Sequence, residues 1–113
     1  MKVTPNLLRW QRDLYPAGHA NRLNLVLHLV SVPVFVAGAL TLVYALATFA
    51  WGLAGLGAAA VVAAIAVQGF GHSREIERPE PFLSPLDFVA RFAAENFVTF
   101  WRFLASGDFR RRF

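Results

Sequence analysis

The fold of this chain is decided by the stretch LNLVLHLVSVPVFVAGALTLVYALATFAWGLAGLGAAAVVAAIAVQGFGHS, which runs from Leu23 to Ser73. These 51 residues contain no Asp, Glu, Lys or Arg. A helix needs about 20 apolar residues to cross the hydrocarbon core of a bilayer, so the stretch has room for two. A break is expected in the glycine-rich segment from Ala47 to Gly57. The sequence therefore predicts an all-α membrane protein with a two-span transmembrane helical hairpin, its spans at about 23–47 and 53–71.

The composition agrees with a membrane protein of one domain. The chain has 113 residues, of which 57% are hydrophobic and only 16% are charged, an unusual balance for a soluble domain. The first apolar segment is longer than the core of about 7–15 residues that a secretory signal peptide has. Cysteine is absent, which excludes disulfides and thiolate chemistry.

Both flanks of the apolar block are basic. Residues 1–22 hold four Lys or Arg against one Asp, and residues 74–113 hold seven Arg against six acidic residues. The positive-inside rule then places both termini in the cytoplasm. Anionic lipid headgroups, rather than nucleic acid, are the expected partner of this charge. A single Lys among eleven basic residues is typical of a GC-rich bacterial genome, which favours a bacterial inner membrane over the endoplasmic reticulum.

A third long helix is predicted after the spans, at about 85–106. Ser84 followed by Pro85 is a helix-start signal, and Gly107 marks the end. Its apolar residues recur at helical spacing: Leu86, Val89, Phe92, Ala93, Phe97, Phe100, Trp101 and Leu104. Its charged residues fall on other faces: Asp87, Arg91, Glu95 and Arg102. The pattern is typical of an amphipathic helix that lies in the membrane interface or packs on the hairpin.

Polar residues interrupt the apolar block at both of its ends. On the first span they share one helical face: Asn21, Asn24, His28 and Ser31. At the end of the second span they also share a face: Gln68, His72 and Glu75. In a hairpin the two faces lie at the same membrane depth, so we expect them to meet. The simplest role would be hydrogen bonding between helices, at about 0.6 kcal/mol a pair.

The three histidines of the chain all fall in this polar layer, which favours a metal site. His19 precedes the first span, and Pro16 and Gly18 allow the chain to fold it back over the helix start. Imidazoles with a carboxylate suit a divalent transition metal, and two histidines with one carboxylate suit non-haem iron(II). The predicted ligands and catalytic residues are therefore His19, His28 and His72.

Either Glu75 or Glu77 could supply the carboxylate of this site. Glu75 is three residues after His72 and would stay on its helical face, whereas Glu77 would lie about 140° away. Glu75 is therefore the predicted fourth ligand.

Two other functions compete with a metal enzyme. His28 and His72 on facing helices could be the axial pair of a b-type haem that transfers electrons. Alternatively, the hairpin and its aromatic amphipathic helix could shape the membrane without any catalysis.

The same residues resemble the motif of a known family. YPAGHANRLNLVLHLVSVP has the pattern Tyr-x3-His-x4-Asn-x3-His-x4-Pro, and QGFGH follows about 40 residues later. The pattern is similar to that of the Mpo1-like family, also called DUF962, over roughly residues 15–107. Ser31 stands where relatives usually have glycine, and the segment after His72 is one residue shorter than the usual His-x3-Glu-x3-Pro.

The resemblance implies an iron(II)-dependent dioxygenase that shortens 2-hydroxy fatty acids by one carbon, using dioxygen. It implies that His19, His28 and His72 hold the metal, and we expect Asn24 and Gln68, which match the same motif, to bind substrate beside it. A substrate lying in the bilayer would present its carboxylate and hydroxyl at headgroup depth. Arg22, Arg74 or Arg78 would then bind the carboxylate, and an apolar groove lined by Phe35, Phe70 and the helix from Pro85 would take the acyl chain.

Overall fold

Two long apolar helices form the centre of the fold. The computed structural model describes residues 1–113, and it contains helices and no strand. Its elements follow one another in this order: α1 (Leu7–Gly18), α2 (Arg22–Ala47), α3 (Trp51–His72), α4 (Pro85–Ala94), a π-helical segment (Glu95–Thr99), α5 (Phe100–Ala105) and α6 (Asp108–Arg111). The prediction of an all-α fold with a hairpin and a C-terminal helix is confirmed.

Helices α2 and α3 are the two candidate membrane spans, and they agree with the predicted spans to within two residues at each end. Their 26 and 22 residues give lengths of about 39 and 33 Å, enough for a hydrocarbon core of about 30 Å. In the most apolar window of each helix only 28% and 22% of the residues are buried inside the protein. Most of their apolar surface therefore faces outward, as a lipid-exposed helix requires.

Glycines allow the two spans to approach each other closely. A Cβ atom on Gly57 would lie 2.9 Å from both the Gly38 carbonyl oxygen and the Leu42 nitrogen. A Cβ atom on Gly38 would lie 2.8 Å from the Ala60 Cβ. Small residues at such a crossing are the usual means by which membrane helices pack, since lipid provides no hydrophobic force between them.

The C-terminal helices and α1 close the end of the hairpin that carries the polar layer. The Ser84 hydroxyl caps α4 by accepting a hydrogen bond from the Asp87 N–H at 3.0 Å, and Pro85 occupies the first turn. The π-helical segment contacts both α1 and α2. Beneath it lies an apolar core drawn from α1, α2 and the C-terminal helices: Tyr15, Leu25, Val32, Phe100, Phe103 and Phe109.

The helix from Pro85 packs with polar residues on its inner side. The buried polar residues of α4 and the π-helical segment are Asp87, Arg91, Asn96 and Thr99. Much of the predicted apolar stripe lies outside, with side chains 39–59% exposed: Leu86, Val89, Phe97 and Trp101. The sequence left open which surface this helix would use. In the structure, α4 and the π-helical segment turn polar side chains inward and several apolar ones outward, whereas Phe100 and Phe103 of α5 are buried in the apolar core.

Candidate metal centre

Four side chains from four places in the chain converge at one point. His19 lies between α1 and α2, His28 lies in the second turn of α2, His72 ends α3, and Glu95 begins the π-helical segment. One ligand atom from each of the four lies within 4.8 Å of all the others. The three imidazole rings stand nearly perpendicular to one another, with centroids 4.7–4.9 Å apart. The three histidines are thus brought together as the sequence predicted.

Backbone carbonyls orient two of the imidazoles. His19 Nδ1 lies 2.9 Å from the Tyr15 carbonyl oxygen, and His28 Nδ1 lies 2.9 Å from the Asn24 carbonyl oxygen. A carbonyl oxygen only accepts, so each Nδ1 carries the hydrogen and donates it. In the neutral ring the other nitrogen, Nε2, then has a free lone pair. Hydrogen bonds of this kind are the usual support of histidines that bind metals.

The free lone pairs of His19 and His28 face a carboxylate. Glu95 Oε2 lies 3.0 Å from His28 Nε2 and 3.4 Å from His19 Nε2. Both nitrogens are buried and have no other hydrogen-bond partner. Electron pairs on two buried nitrogens and a carboxylate oxygen at these distances repel one another, so the group needs a positive charge at its centre. A proton on an imidazole or a metal cation would provide that charge.

The surroundings of Glu95 favour the ionised form that a metal ligand requires. Burial by itself raises the pKa of Glu95, but the interactions of its carboxylate with the neighbouring His19 and His28 outweigh this effect and hold the pKa well below its usual range. The Tyr15 hydroxyl donates a further hydrogen bond of 3.0 Å to Glu95 Oε2. Burial and the neighbouring Glu95 charge raise the pKa of Tyr15, so its hydroxyl keeps its proton.

The distances from the Glu95 carboxylate to His19 and His28 fit a small divalent cation. Metal bonds from nitrogen and carboxylate oxygen are about 2.0–2.2 Å long, which places neighbouring ligand atoms about 3 Å apart. The distances from Glu95 Oε2 to the two Nε2 atoms, 3.0 and 3.4 Å, are close to this value. Three nitrogens and one carboxylate form a donor set that first-row transition metals accept.

The prediction that Glu75 would provide the carboxylate is wrong. Glu75 Oε1 accepts hydrogen bonds from the N–H groups of Ala20 and Asn21, both at 3.0 Å, and its Oε2 accepts one from Asn24 Nδ2 at 2.6 Å. Helix α3 ends at His72, so the helical spacing that favoured Glu75 no longer applies. The unpaired N–H groups before α2 attract the carboxylate instead, as at other helix starts. Glu77 lies outside the group as well.

The amide side chains of Asn24 and Gln68 form hydrogen bonds within the protein. Asn24 is fully buried and donates to Glu75, which joins the polar faces of α2 and α3 as expected. Gln68 is also buried and donates to Asn96 Oδ1 at 2.8 Å, which joins α3 to the π-helical segment. Both side chains therefore hold the walls of the site in place.

Arg22 and Arg74, which were predicted to bind the substrate carboxylate, lie away from the metal ligands. Arg22 donates to the carbonyl oxygens of Arg112 and Phe113. Arg74 lies over the Phe70 ring, with its Cζ 6.0 Å from the ring centroid. Neither lines the cavity that adjoins His19, His72 and Glu95. The structure therefore places both side chains away from the position at which they were expected.

A cavity of about 380 Å³ adjoins the metal group, at the small end of the range for ligand sites. It lies between α1, α3, α4 and residues 77–82. His19, His72 and Glu95 form part of its wall. Apolar side chains cover much of the rest: Trp10, Leu14, Ile65, Phe82, Phe88 and Phe92. Phe35 and Phe70, predicted to line an acyl groove, are absent from the wall, whereas α4 contributes as predicted.

A haem between His28 and His72 does not fit this geometry. Their ring centroids are 4.9 Å apart. Two metal–nitrogen bonds of about 2 Å in line already separate the nitrogens by about 4 Å, and the ring centres lie well beyond the nitrogens. Glu95 and His19 also fill the space that the macrocycle would need.

No family model, curated protein or solved structure matches this chain. The fold and the site by themselves define a helical protein with two candidate membrane spans and a partly buried group of three histidines and one glutamate that could hold a metal ion.

Sequence reasoning missed Glu95. The signal was a carboxylate within the mostly apolar run FVARFAAENFVTF, in which Arg91 is the only other ionisable residue. Helical spacing placed Glu95 off the apolar stripe, but it gave no information on whether that face would point towards the histidines.

Proposed function

We propose that this chain is a membrane-embedded, non-haem iron(II) dioxygenase that removes one carbon from 2-hydroxy fatty acids. The observation that supports it most is the convergence of His19, His28, His72 and Glu95 beside an apolar cavity, with two buried imidazole nitrogens that have no hydrogen-bond partner. A non-catalytic hairpin would have no use for such a group, because burying it without a cation is costly.

Iron(II) is the proposed metal for two reasons. Histidine nitrogens with a carboxylate are the ligands of non-haem iron oxygenases, and four protein ligands leave positions free on a six-coordinate ion. The sequence motif also resembles that of an iron-dependent family. When bound, iron would supply the binding and activation of dioxygen. The protein would hold the metal through its three histidines and Glu95, and exclude bulk water with the apolar cavity wall.

The cavity suits one end of a single-chain amphiphile. Its polar part lies at the metal group and its apolar part is lined with aromatic and aliphatic side chains. A volume of about 380 Å³ accommodates the 2-hydroxy acid end of a fatty acid, while the remaining chain extends into the bilayer. Arg78 lines the cavity and is exposed. It is our candidate for attracting the substrate carboxylate.

The reaction balances with dioxygen as the only oxidant. The bond between the carboxyl carbon and the hydroxylated carbon breaks, and the hydroxylated carbon becomes the carboxyl carbon of the shorter acid. The original carboxyl group leaves as carbon dioxide, and one water is formed. The substrate gives up four electrons and dioxygen accepts four, so no separate reductant is required.

The protein would lie in a bacterial inner membrane with both termini in the cytoplasm. The basic flanks and the uncharged turn support this orientation. The outward apolar residues of α4 and α5 would then contact lipid at the depth of the metal group. Reporter tags at the two ends should be accessible from the same, cytoplasmic side; tags that report opposite sides would contradict the topology.

The function is tested on detergent-purified protein. Elemental analysis should find iron in the unaltered protein and a loss of iron in the His28→Ala variant. The iron-loaded protein should consume oxygen with 2-hydroxypalmitate and release an acid one carbon shorter, while palmitate, which lacks the hydroxyl, should give no product. Iron retained in full by a triple variant of His19, His28 and His72 to Ala would refute the metal site.

A further inference from the structure

We infer that Tyr15 is the positioning residue of the metal centre, fixing both His19 and Glu95 in the arrangement that binds the ion. This inference rests on the metal site proposed above. It assigns to Tyr15 a role distinct from its place in the apolar core.

Three separate contacts carry the inference. The Tyr15 hydroxyl donates to Glu95 Oε2 at 3.0 Å. Its carbonyl oxygen accepts the hydrogen of His19 Nδ1 at 2.9 Å, which directs the Nε2 lone pair to the centre. Its ring stacks on the His19 imidazole, with centroids 3.6 Å apart and planes 9° apart. One residue thus sets the tautomer, the ring plane and the carboxylate position of two ligands.

The position of Tyr15 in the fold makes these contacts rigid. Its side chain is only 4% exposed and packs edge-on against Phe103, with centroids 5.1 Å apart. One turn earlier, Gln11 ties α1 to the same C-terminal helices through the Arg91 carbonyl oxygen and the Thr99 hydroxyl. The hydroxyl is therefore held at a fixed distance from the π-helical segment that carries Glu95.

The hydroxyl restrains the ligand in a way that packing alone does not. A glutamate side chain has several rotatable bonds, and Glu95 lies next to a cavity into which it could turn. The hydrogen bond to Oε2 keeps the carboxylate on the side of His19 and His28. Such outer contacts are worth about 10–100-fold in metal affinity.

Tyr15→Phe isolates the hydroxyl, because phenylalanine keeps the ring and the backbone carbonyl. Anaerobic titration with iron(II), and with cobalt(II) as a spectroscopic probe, should show affinity lowered by about 10–100-fold. The visible absorption bands of bound cobalt should also change, since a released carboxylate alters the ligand field. The metal-free variant should retain its helical circular dichroism.

The matched control is Tyr44→Phe, which alters the only other tyrosine. Tyr44 is 61% exposed near the far end of α2, and this variant should bind metal like the parent. Equal affinity and identical cobalt spectra for Tyr15→Phe and the parent would overturn the inference while leaving the metal site intact. No binding by the parent would overturn the metal site and the inference together. A Tyr15→Phe variant that loses its helical signal would also overturn it, because the role would then be structural.

Discussion

Gly71 should be intolerant of a methyl group that its neighbour Gly69 accepts. A Cβ atom on Gly71 would overlap Asn24 Oδ1 and lie 3.2 Å from Asn24 Cγ, whereas a Cβ on Gly69 meets nothing within 4 Å. Asn24 is fully buried, so the shift that a Gly71 methyl group forces on its side chain must stretch or break its hydrogen bond of 2.6 Å to Glu75. A hydrogen bond to a charged group contributes about 1.5–3 kcal/mol.

Helix propensity acts in the opposite direction and sets the net effect. Replacing Gly by Ala in a helix stabilises by about 0.5–1 kcal/mol. Gly69→Ala should therefore be neutral or stabilising, and Gly71→Ala should lower the free energy of unfolding by about 1–2 kcal/mol after this gain is subtracted.

The comparison is made by unfolding both variants and the parent in one detergent, followed by circular dichroism. Gly71→Ala should unfold first and Gly69→Ala should unfold with or after the parent. Metal binding should also weaken in Gly71→Ala. Gly71 directly precedes the ligand His72, and the displaced Asn24 orients the ligand His28 through its carbonyl oxygen. A Gly71→Ala protein as stable as Gly69→Ala would refute the close packing of α2 on α3 at this point.

Three further outcomes are expected. Glu95→Gln should reduce metal affinity by more than about 100-fold, because outer contacts alone are worth about 10–100-fold, while Glu75→Gln should reduce it by less than about 10-fold. Hydrogen bonds from backbone N–H groups and a nearby arginine outweigh the effect of burial and lower the pKa of Asp87 from 3.8 to about 2. The contribution of Asp87 to the stability of the fold is therefore complete above pH 3.8 and fades as the pH falls towards 2. This pH dependence should be missing in Asp87→Asn. Arg78→Ala should raise KM for 2-hydroxypalmitate by up to about fivefold with little change in kcat, since an exposed ion pair contributes up to about 1 kcal/mol, and Arg74→Ala should not.

Each of these outcomes has a contrary result that decides against its premise. An equal loss of metal affinity in Glu95→Gln and Glu75→Gln would contradict the assignment of Glu95, rather than Glu75, as the fourth ligand. Parallel acid-unfolding curves for Asp87→Asn and the parent would remove the role of its hydrogen bonds. A rise in KM for Arg74→Ala as large as that for Arg78→Ala would indicate general surface charge rather than the cavity wall.

The hairpin and the meeting of the histidines could be predicted because they depend on local patterns. An uncharged run of 51 residues allows only helices across a bilayer, since every backbone polar group must be paired within the segment. A fixed helical period then puts Asn24 and His28 on one face of α2, and antiparallel packing brings the end of α3 to the same level. The proximity of His28 and His72 could therefore be predicted from the sequence.

The carboxylate could not be predicted in the same way. Choosing Glu75 assumed that α3 continues past His72, and the helix ends there instead. Whether the chain turns at that point depends on the N–H groups of Ala20 and Asn21, which are far away in the sequence and compete for the same carboxylate.

The sequence by itself determined the two spans, the hairpin that they form and the single layer in which the histidines lie. Only the tertiary structure decided that Glu95 completes the group. That choice depends on the rotation of the C-terminal helix about its axis, which is set by the buried pairs Gln68–Asn96 and Gln11–Thr99 and by a π-helical turn that admits an extra residue. A period of 3.6 residues fixes which residues share a face, but the direction of that face comes from contacts between residues distant in the chain.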